Sequence, residues 1–202
     1  MTPEETRLLL EAASGDRLEA LYVLAIATGL RQGELLALKW DDVDLERGML
    51  RVRRTLTRTG GKVSLGEPKT KKSRRSVNLT AAAMEALQSH LSRQLEEMER
   101  MGLLYQFGGL VFANEVGGII NPSNLRNRSF ARLLKRAGLP PDTRFHDLRH
   151  TCATLLLSRN VNPKIVSEML GHSSIAITLD TYSHVLLTMQ ESAIHALEDV
   201  LQ

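Results

Sequence analysis

The stretch His146-Asp147-Leu148-Arg149-His150 combines a helical pattern with chemically reactive side chains. On a helix, His146, Arg149 and His150 fall at positions i, i+3 and i+4 and project from one side, while Leu148 turns away. Two imidazoles beside a guanidinium form a site suited to a phosphate group. The stretch therefore predicts a helix that presents a phosphate-binding face.

Zinc binding is an alternative interpretation of the same helix, because histidines at i and i+4 also occur in His-Glu-x-x-His zinc helices. Here Asp147 stands in place of the usual glutamate, and Arg149 would set a fixed cation beside the metal. The sequence signals no third ligand. We therefore expect neither a metal nor another cofactor.

Helical segments flank this stretch on both sides. The first residues, Thr2-Pro3-Glu4-Glu5, have the form of a capping box with proline in the first turn. Glycines and Asn-Pro pairs mark other helix ends. We predict helices over residues 3–13, 18–28, 31–40, 80–101, 121–138, 144–158 with Thr143 as its cap, 162–171, 174–182 and 185–201.

The periodicity changes at residues 49–56, which alternate as a strand. Residues 59–62, with two central glycines, have the composition of a hairpin turn, and residues 74–79 form a further predicted strand. The predicted fold class is mostly α with a small antiparallel β-sheet (α+β). We expect one compact domain over residues 1–202, with a C-terminal tail helix at 183–202.

The composition fits a globular protein, since 43% of the 202 residues are hydrophobic and 24% are charged. The N-terminal residues lack the pattern of a signal peptide, and no stretch approaches the ~20 apolar residues needed to cross a membrane. Cys152 is the only cysteine, which fits a reducing compartment. We therefore expect a cytosolic protein without membrane contact.

Positive charge is unevenly distributed, although the net charge is only +3. Lysine and arginine concentrate at residues 51–75 and 126–149, and clustered cations suit a nucleic acid because each phosphate contact releases counterions. A solvated face would explain one such run alone. Lys69, Lys71 and Lys72 lie where a hairpin would present cations, and periodicity does not choose among them.

Arg31 and Glu34 stand at positions i and i+3, so on a helix the carboxylate can orient the guanidinium. An ordinary surface ion pair is the alternative. Gly29 interrupts two apolar segments just before Arg31, which places this arginine at a helix start rather than on a solvated face.

A third cluster consists of Gly171, His172 and Tyr182. As an alternative, residues 162–182 could form a helix-turn-helix with Gly171 in the turn and the second helix in a major groove. That second helix is rich in isoleucine and poor in base-reading side chains. Taken alone, Tyr182 would more often be a packing residue than a nucleophile.

These motifs follow one order: Gly29 to Leu35, a hairpin lysine, His146-x-x-Arg149-His150, Leu170-Gly171-His172, and Tyr182 ten residues beyond His172. In this order and spacing they resemble the tyrosine recombinase (phage integrase) family over essentially the whole chain. The resemblance implies the catalytic-domain fold of that family. It implies catalytic roles for Arg31, Lys69, His146, Arg149, His172 and Tyr182, with Glu34 as the acidic residue beside the first arginine. On the predicted helix, His150 is a supporting candidate. The basic run makes Arg53, Arg54, Lys71, Lys72 and Arg74 candidates for contact with DNA.

The implied reaction is site-specific cleavage and rejoining of DNA without metal or ATP. By resemblance, Tyr182 attacks a phosphodiester and forms a 3′-phosphotyrosine with a free 5′-hydroxyl. A base must take the phenol proton, because phenolate formation at pH 7 costs about 4 kcal/mol. The resemblance favours His146 over His150 as that base, and Lys69 fits the general acid for the leaving oxygen.

Two other functions stay open. A type IB topoisomerase shares these residues and would relax supercoils without a partner DNA. A noncatalytic DNA-binding regulator would use the helix-turn-helix-like segment, and its function would be unchanged in Tyr182→Phe.

Family members usually carry an N-terminal helical domain that closes a clamp around the duplex, and this chain begins almost at the catalytic domain. We therefore expect that domain to be absent, DNA binding to be weak and salt-sensitive, and the protein to be a monomer in free solution. On double-stranded DNA, the tail at 183–202 is expected to join protomers into a homotetramer. The sequence leaves docking in cis or in trans open.

Overall fold

The computed structural model describes residues 1–67, 74–183 and 185. Its helices are α1 (Pro3–Ala13), α2 (Glu19–Thr28), α3 (Gln32–Leu35), α4 (Ala81–Met101), α5 (Pro122–Asn124), α6 (Ala131–Ala137), α7 (Asp147–Leu157), α8 (Pro163–Leu170) and α9 (Ile175–Thr181). Its strands are β1 (Val43–Asp44), β2 (Met49–Val52), β3 (Thr55–Thr59), β4 (Lys62–Gly66) and β5 (Arg75–Asn78). The predicted class, mostly α with small antiparallel sheets, is confirmed. No helix in the described ranges is long and apolar enough to cross a membrane.

Several helices begin and end at the residues that the sequence signals predict. Thr2 and Glu5 form the capping box: the Thr2 hydroxyl accepts from the Glu5 amide at 3.1 Å, and the Glu5 carboxylate accepts from the Thr2 amide at 2.8 Å. The side chains of Thr80 and Asn162 cap α4 and α8. Gly29 ends α2 in the left-handed conformation. These caps satisfy backbone groups that helix ends leave unpaired.

The strands form two separate sheets. The order β1-β2-β5 makes a three-stranded antiparallel sheet, and β3 pairs with β4 as a hairpin. The prediction of one strand over residues 49–56 is therefore wrong, because Arg53 and Arg54 interrupt it. Both arginines pair with Asp42, whose side chain is 1% exposed. Alternation cannot predict this break, since the attracting carboxylate belongs to another segment.

The helix predicted over residues 31–40 is also too long. It ends at Leu35, and a short 3₁₀ helix follows at Trp40–Asp42. Leu36, Ala37 and Leu38 are consecutive and all buried, at 0%, 0% and 3% exposure. Beyond Leu35 the amides of Ala37 and Leu38 bond three residues back, at 3.3 and 3.2 Å, and the Leu38 carbonyl accepts from the Val111 amide at 2.9 Å, so the chain leaves the α-helical pattern.

Thr143 does not cap α7, contrary to the sequence prediction. The N-cap is His146, and no side chain caps the helix there. Instead, the Asp147 carboxylate accepts from the Arg144 amide at 2.8 Å and pairs with its guanidinium at 2.9 Å. An acidic side chain in the first turn thus takes the place of the expected cap.

The main core is built around α2. Leu21, Tyr22 and Leu24 are fully buried, and the helix packs against both α4 and α7. Burial of one leucine side chain contributes roughly 2 kcal/mol. Because α2 ends at Gly29, this packing fixes where the chain enters α3 relative to α7.

A second apolar cluster holds the C-terminal part of the described chain. It joins α7 and α8 to the residues that follow α9, through Ala153, Leu157, Val166, Leu170, Tyr182 and Val185. The tyrosine ring therefore packs as part of an apolar cluster.

Gly29→Ala tests the junction between α2 and α8. A Cβ at Gly29 would collide with Cδ2 of Leu170 and lie 3.3 Å from Sγ of Cys152, and the backbone φ is +62°. Left-handed strain costs roughly 1–2 kcal/mol and overpacking a further 1–3 kcal/mol. We expect urea denaturation to show a loss of about 2–5 kcal/mol in the free energy of unfolding.

Gly15→Ala is the matched control, because Gly15 has a φ of +74° and no atom within 4 Å of its built Cβ. It should lose only the strain, roughly 1–2 kcal/mol. Equal losses in the two variants would contradict the close packing assigned to Gly29.

Candidate active site

Glu34 is the buried acid of the site, with 3% exposure. Its Oε1 accepts from Arg31 Nη1 at 3.0 Å, and its Oε2 accepts from the Arg31 amide at 2.9 Å. Burial alone would raise the pKa of Glu34, but the hydrogen bonds and charge of Arg75, together with Arg31, hold the pKa below its ordinary value. The structure thus forms the contact expected between Arg31 and Glu34.

Arg75 is a member of the site that sequence reasoning missed. Its guanidinium binds Glu34 in a bidentate pair, with Nη2 to Oε2 at 2.9 Å and Nη1 to Oε1 at 3.2 Å. In the sequence it is one cation within a basic run. The signal that could have identified it is the alternation of β5, which puts Arg75 on the same face as the buried Val77.

Arg149 lies on α7 and is 3% exposed. Its Nη1 donates to the Gly29 carbonyl at 2.7 Å, while its Nη2 has no acceptor among the described residues. Burial, with Arg31 nearby, lowers the pKa of Arg149 to about 10, so it stays charged at pH 7. A buried cation with an unpaired N–H is suited to bind an anion.

His172 directly follows the glycine that ends α8. Its Nδ1 lies 2.7 Å from Oγ1 of the buried Thr178. Burial and then Arg149, Arg31 and Arg75 lower the pKa of His172 to about 4. The ring is therefore neutral at pH 7. If Thr178 donates to Nδ1, the ring proton lies on Nε2.

Tyr182 follows α9 and is 3% exposed. Its hydroxyl lies 2.9 Å from Nδ1 of His150, and burial raises the pKa of the phenol. The His146 ring packs edge-on against His150, with ring centroids 4.9 Å apart. Burial lowers the pKa of both histidines, so both are neutral at pH 7. The histidine that contacts the tyrosine is thus His150.

The remaining predicted residues fall into two groups. Lys69, Lys71 and Lys72 lie outside the described residues. Arg53 and Arg54 pair with Asp42, and Arg74 pairs with Glu67 at 2.7 Å. These three arginines line an open groove of about 810 Å³ between the two sheets, together with Lys39, Arg51, Val52, Leu65, Gly66, Glu67, Arg75 and Ser76.

The helix-turn-helix interpretation concerns α8 and α9. The two helices pack together across Gly171. The exposed side chains of α9 include Ile175, Ile177 and Leu179, at 37%, 41% and 39% exposure. Since a groove-reading helix presents polar groups to base edges, this surface does not favour base reading.

Five of the six expected catalytic residues thus lie in one region of a mostly helical domain with small sheets. The charges of Arg31 and Arg149 act on His172, that of Arg149 acts on Tyr182, and His146 packs against the His150 ring that contacts Tyr182. The family model described as "Phage integrase family" matches residues 1–189. The chain belongs to the phage integrase family, and the predicted resemblance is confirmed.

The curated relatives include a XerC-like tyrosine recombinase from Caldanaerobacter subterraneus subsp. tengcongensis. It is 42% identical, over 98% of this chain and 53% of the relative. The ICEBs1 integrase of Bacillus subtilis is 29% identical, over 98% of this chain and 54% of its own length. The chain thus spans about half the length of these relatives.

Solved structures show the same fold. The integrase of transposon Tn1549, in complex with transposon right-end DNA, superimposes with a TM-score of 0.80 at 26% identity, over 98% of this chain and 65% of that one. The XerA recombinase gives a TM-score of 0.76 at 29% identity, over 96% of this chain and 64% of that one.

His172 gives the protein a pH-dependent stability. Its pKa is about 4 in the folded protein, against an ordinary value of 6.5. The unfolded chain therefore binds more protons between these values, so the stabilisation is complete above pH 6.5 and is lost as the pH falls towards 4. We expect urea titrations to show a larger loss of unfolding free energy over this range in the wild type than in His172→Gln. Parallel curves for the two proteins would contradict the lowered pKa.

Proposed function

We propose that this protein is a site-specific tyrosine recombinase that cleaves and rejoins double-stranded DNA through a 3′-phosphotyrosyl bond to Tyr182. The observation that carries the proposal is the 2.9 Å contact between the Tyr182 hydroxyl and Nδ1 of His150. His150 shares α7 with Arg149, whose buried guanidinium has an N–H without an acceptor among the described residues. A nucleophile, a base and a phosphate-binding cation thus lie together.

The first requirement is removal of the phenol proton. Phenolate formation at pH 7 costs about 4 kcal/mol for a free tyrosine. Burial raises the pKa of Tyr182, so the cost is higher in this site. Burial lowers the pKa of His150, which keeps its ring neutral and able to accept a proton. In the proposed step the proton passes from the phenol oxygen to Nδ1 as that oxygen bonds to phosphorus.

The geometry favours His150 as the direct proton acceptor, whereas the sequence resemblance favours His146. His150 contacts the hydroxyl, and His146 packs edge-on against the His150 ring. We therefore assign proton transfer to His150 and assign His146 to shaping its surroundings.

The nonbridging phosphate oxygens need hydrogen-bond donors whose bonds become stronger as negative charge develops on these oxygens in the transition state. The Arg31 side chain is 40% exposed, and Arg149 offers its Nη2. His172 offers Nε2 in the tautomer in which Thr178 donates to its Nδ1. As the tyrosine bond forms, the bond from phosphorus to the 5′ oxygen breaks and that oxygen takes a proton, for which Lys69 stays the predicted donor. Attack by another 5′-hydroxyl reverses these steps and rejoins a strand.

The solved structure of the Tn1549 integrase supports DNA as the substrate, since it is a complex with transposon right-end DNA. Arg53, Arg54 and Arg74 line the open groove between the two sheets, but each also pairs with a carboxylate. Contact with phosphates would compete with these ion pairs, so we expect weak and salt-sensitive binding. A DNA substrate agrees with the cytosolic location expected from the sequence.

Assembly is a further part of the proposal. We propose a monomer in free solution and a homotetramer on DNA, joined through the tail at 183–202, most of which lies outside the described residues. A type IB topoisomerase activity would instead relax a plasmid without a second site, so relaxation and two-site recombination assays separate the two reactions.

Tyr182→Phe tests the nucleophile. Nicked suicide duplexes, drawn from a pool of sequence flanking the gene, should trap the wild type as a covalent adduct at Tyr182. The variant keeps the ring that packs in the second apolar cluster but lacks the attacking oxygen, so we expect no adduct. Denaturing gels and mass spectrometry measure both results.

Circular dichroism of Tyr182→Phe, together with its DNA affinity, controls for loss of the fold. An adduct that persists in the variant would overturn the assignment of Tyr182. Wild-type protein that forms no adduct across the pool, with Arg31 and Arg149 substitutions also silent in binding, would favour a noncatalytic regulator.

His150→Gln tests the proton acceptor. General-base catalysis contributes roughly 10²–10⁴-fold, so adduct formation should slow by about that factor, and by less in His146→Gln. Because the pKa of His150 is lowered, the wild-type rate should fall only below pH 6.5, and this acid limb should vanish in His150→Gln. A larger loss in His146→Gln, with the acid limb retained in His150→Gln, would assign the step to His146.

A further inference from the structure

Arg75 is the first residue of β5, and its side chain is 7% exposed. All three guanidinium nitrogens donate hydrogen bonds. Nη1 and Nη2 bind the Glu34 carboxylate at 3.2 and 2.9 Å, and Nε binds the Met169 carbonyl at 2.6 Å. One side chain thus joins β5, α3 and the end of α8.

The contact between Arg75 and Glu34 also bears on the position of Arg31. Both carboxylate oxygens of Glu34 are shared, because Oε1 also accepts from Arg31 Nη1 and Oε2 also accepts from the Arg31 amide. Without Arg75, Glu34 would be a buried charge that has lost its less exposed partner. Arg31 would then be the remaining cation for both oxygens, and its side chain would be drawn further towards the acid.

The contact between Arg75 and Met169 also bears on the position of His172. A Cβ on Gly171 would lie 2.8 Å from Nη1 of Arg75, so the guanidinium packs directly on the glycine that precedes His172. The Gly171 carbonyl in turn accepts from Arg31 Nη2 at 3.4 Å. The guanidinium of Arg75 therefore supports the turn from which His172 projects.

We propose that Arg75 is a positioning residue, which holds Arg31 and His172 in one arrangement around the phosphate through Glu34 and the Met169–Gly171 turn. This inference rests on the proposed DNA cleavage by Tyr182. In this proposal Arg75 acts through Arg31 and His172 and does not itself bind the phosphate. Its loss is expected to slow the chemical step at saturating DNA rather than to weaken DNA binding.

A matched control exists elsewhere in the fold. Arg17 makes the same set of contacts, with two N–H groups on Glu97, both at 2.6 Å, and a third on the Ala113 carbonyl at 2.9 Å. Neither partner belongs to the candidate active site. Arg17→Gln therefore removes an ion pair of the same form, with side chains 31% and 18% exposed, without moving a catalytic group.

The experiment compares wild type, Arg75→Gln, Arg75→Lys and Arg17→Gln on the suicide duplex that traps the wild type. Adduct rates are measured against DNA concentration, and thermal melting verifies folding at the assay temperature. A displacement of about 1 Å in a catalytic group can cost on the order of 100-fold. We expect a fall of that size in the saturating rate of Arg75→Gln, a smaller fall in Arg75→Lys, and a half-saturating DNA concentration within about threefold of wild type.

Arg17→Gln should lose stability but keep the wild-type rate. Folded Arg75→Gln with the wild-type saturating rate would overturn the inference, as would equal rate losses in Arg75→Gln and Arg17→Gln. If Arg75→Gln does not fold, Arg75→Lys decides, because a folded lysine variant with an unchanged rate would also overturn it. Wild-type protein that forms no adduct would instead overturn the proposed function on which the inference rests.

Discussion

The carboxylate of Glu34 is the interaction on which the site depends. It is a buried anion held between two arginines, one of which reaches towards the solvent while the other is buried. A buried ion pair contributes little net stability, because desolvation offsets its attraction, but removal of one partner is costly. The arrangement therefore acts mainly to specify geometry. It fixes the guanidinium of Arg31 relative to the core.

Rigid packing supports the other half of the site. Helix α7 packs on the central helix α2. Its Arg149 contacts Gly29, its His150 contacts Tyr182, and His146 stands at its N-cap. The hydrogen bond from Arg149 to the Gly29 carbonyl joins the end of one core helix to the catalytic face of another. Two elements distant in sequence thus share one fixed junction, and the groups proposed to bind phosphate extend from it.

The sequence predicted those parts of the fold that depend on local signals such as helix caps, and those site residues that belong to a recognisable motif. The caps at Thr2 and Asn162 and the glycine at position 29 mark real helix ends. The strand break at Arg53 depends on a carboxylate in another segment, which no periodicity reveals. Alternation in β5 marks the inward side of Arg75, but it does not reveal Glu34 as its partner.

That His150 rather than His146 contacts Tyr182 likewise depends on the tertiary structure. The two partners lie 32 residues apart in the chain. Helical spacing placed both histidines on one side of α7, but it could not say which ring meets the tyrosine.

The three arginines around Glu34 have a consequence for selectivity between stages of the proposed reaction. Arg31, Arg75 and Arg149 face a single buried acid, Glu34, and the neighbouring histidines are neutral at pH 7, so the described part of the site holds a surplus of two positive charges. An intact phosphodiester carries one negative charge, and a second develops on the phosphorus oxygens only as the tyrosine oxygen attacks. The electrostatic match is therefore better for the transition state than for the resting duplex. In the proposed reaction, such a site would discriminate by charge between DNA that is merely bound and DNA that is reacting.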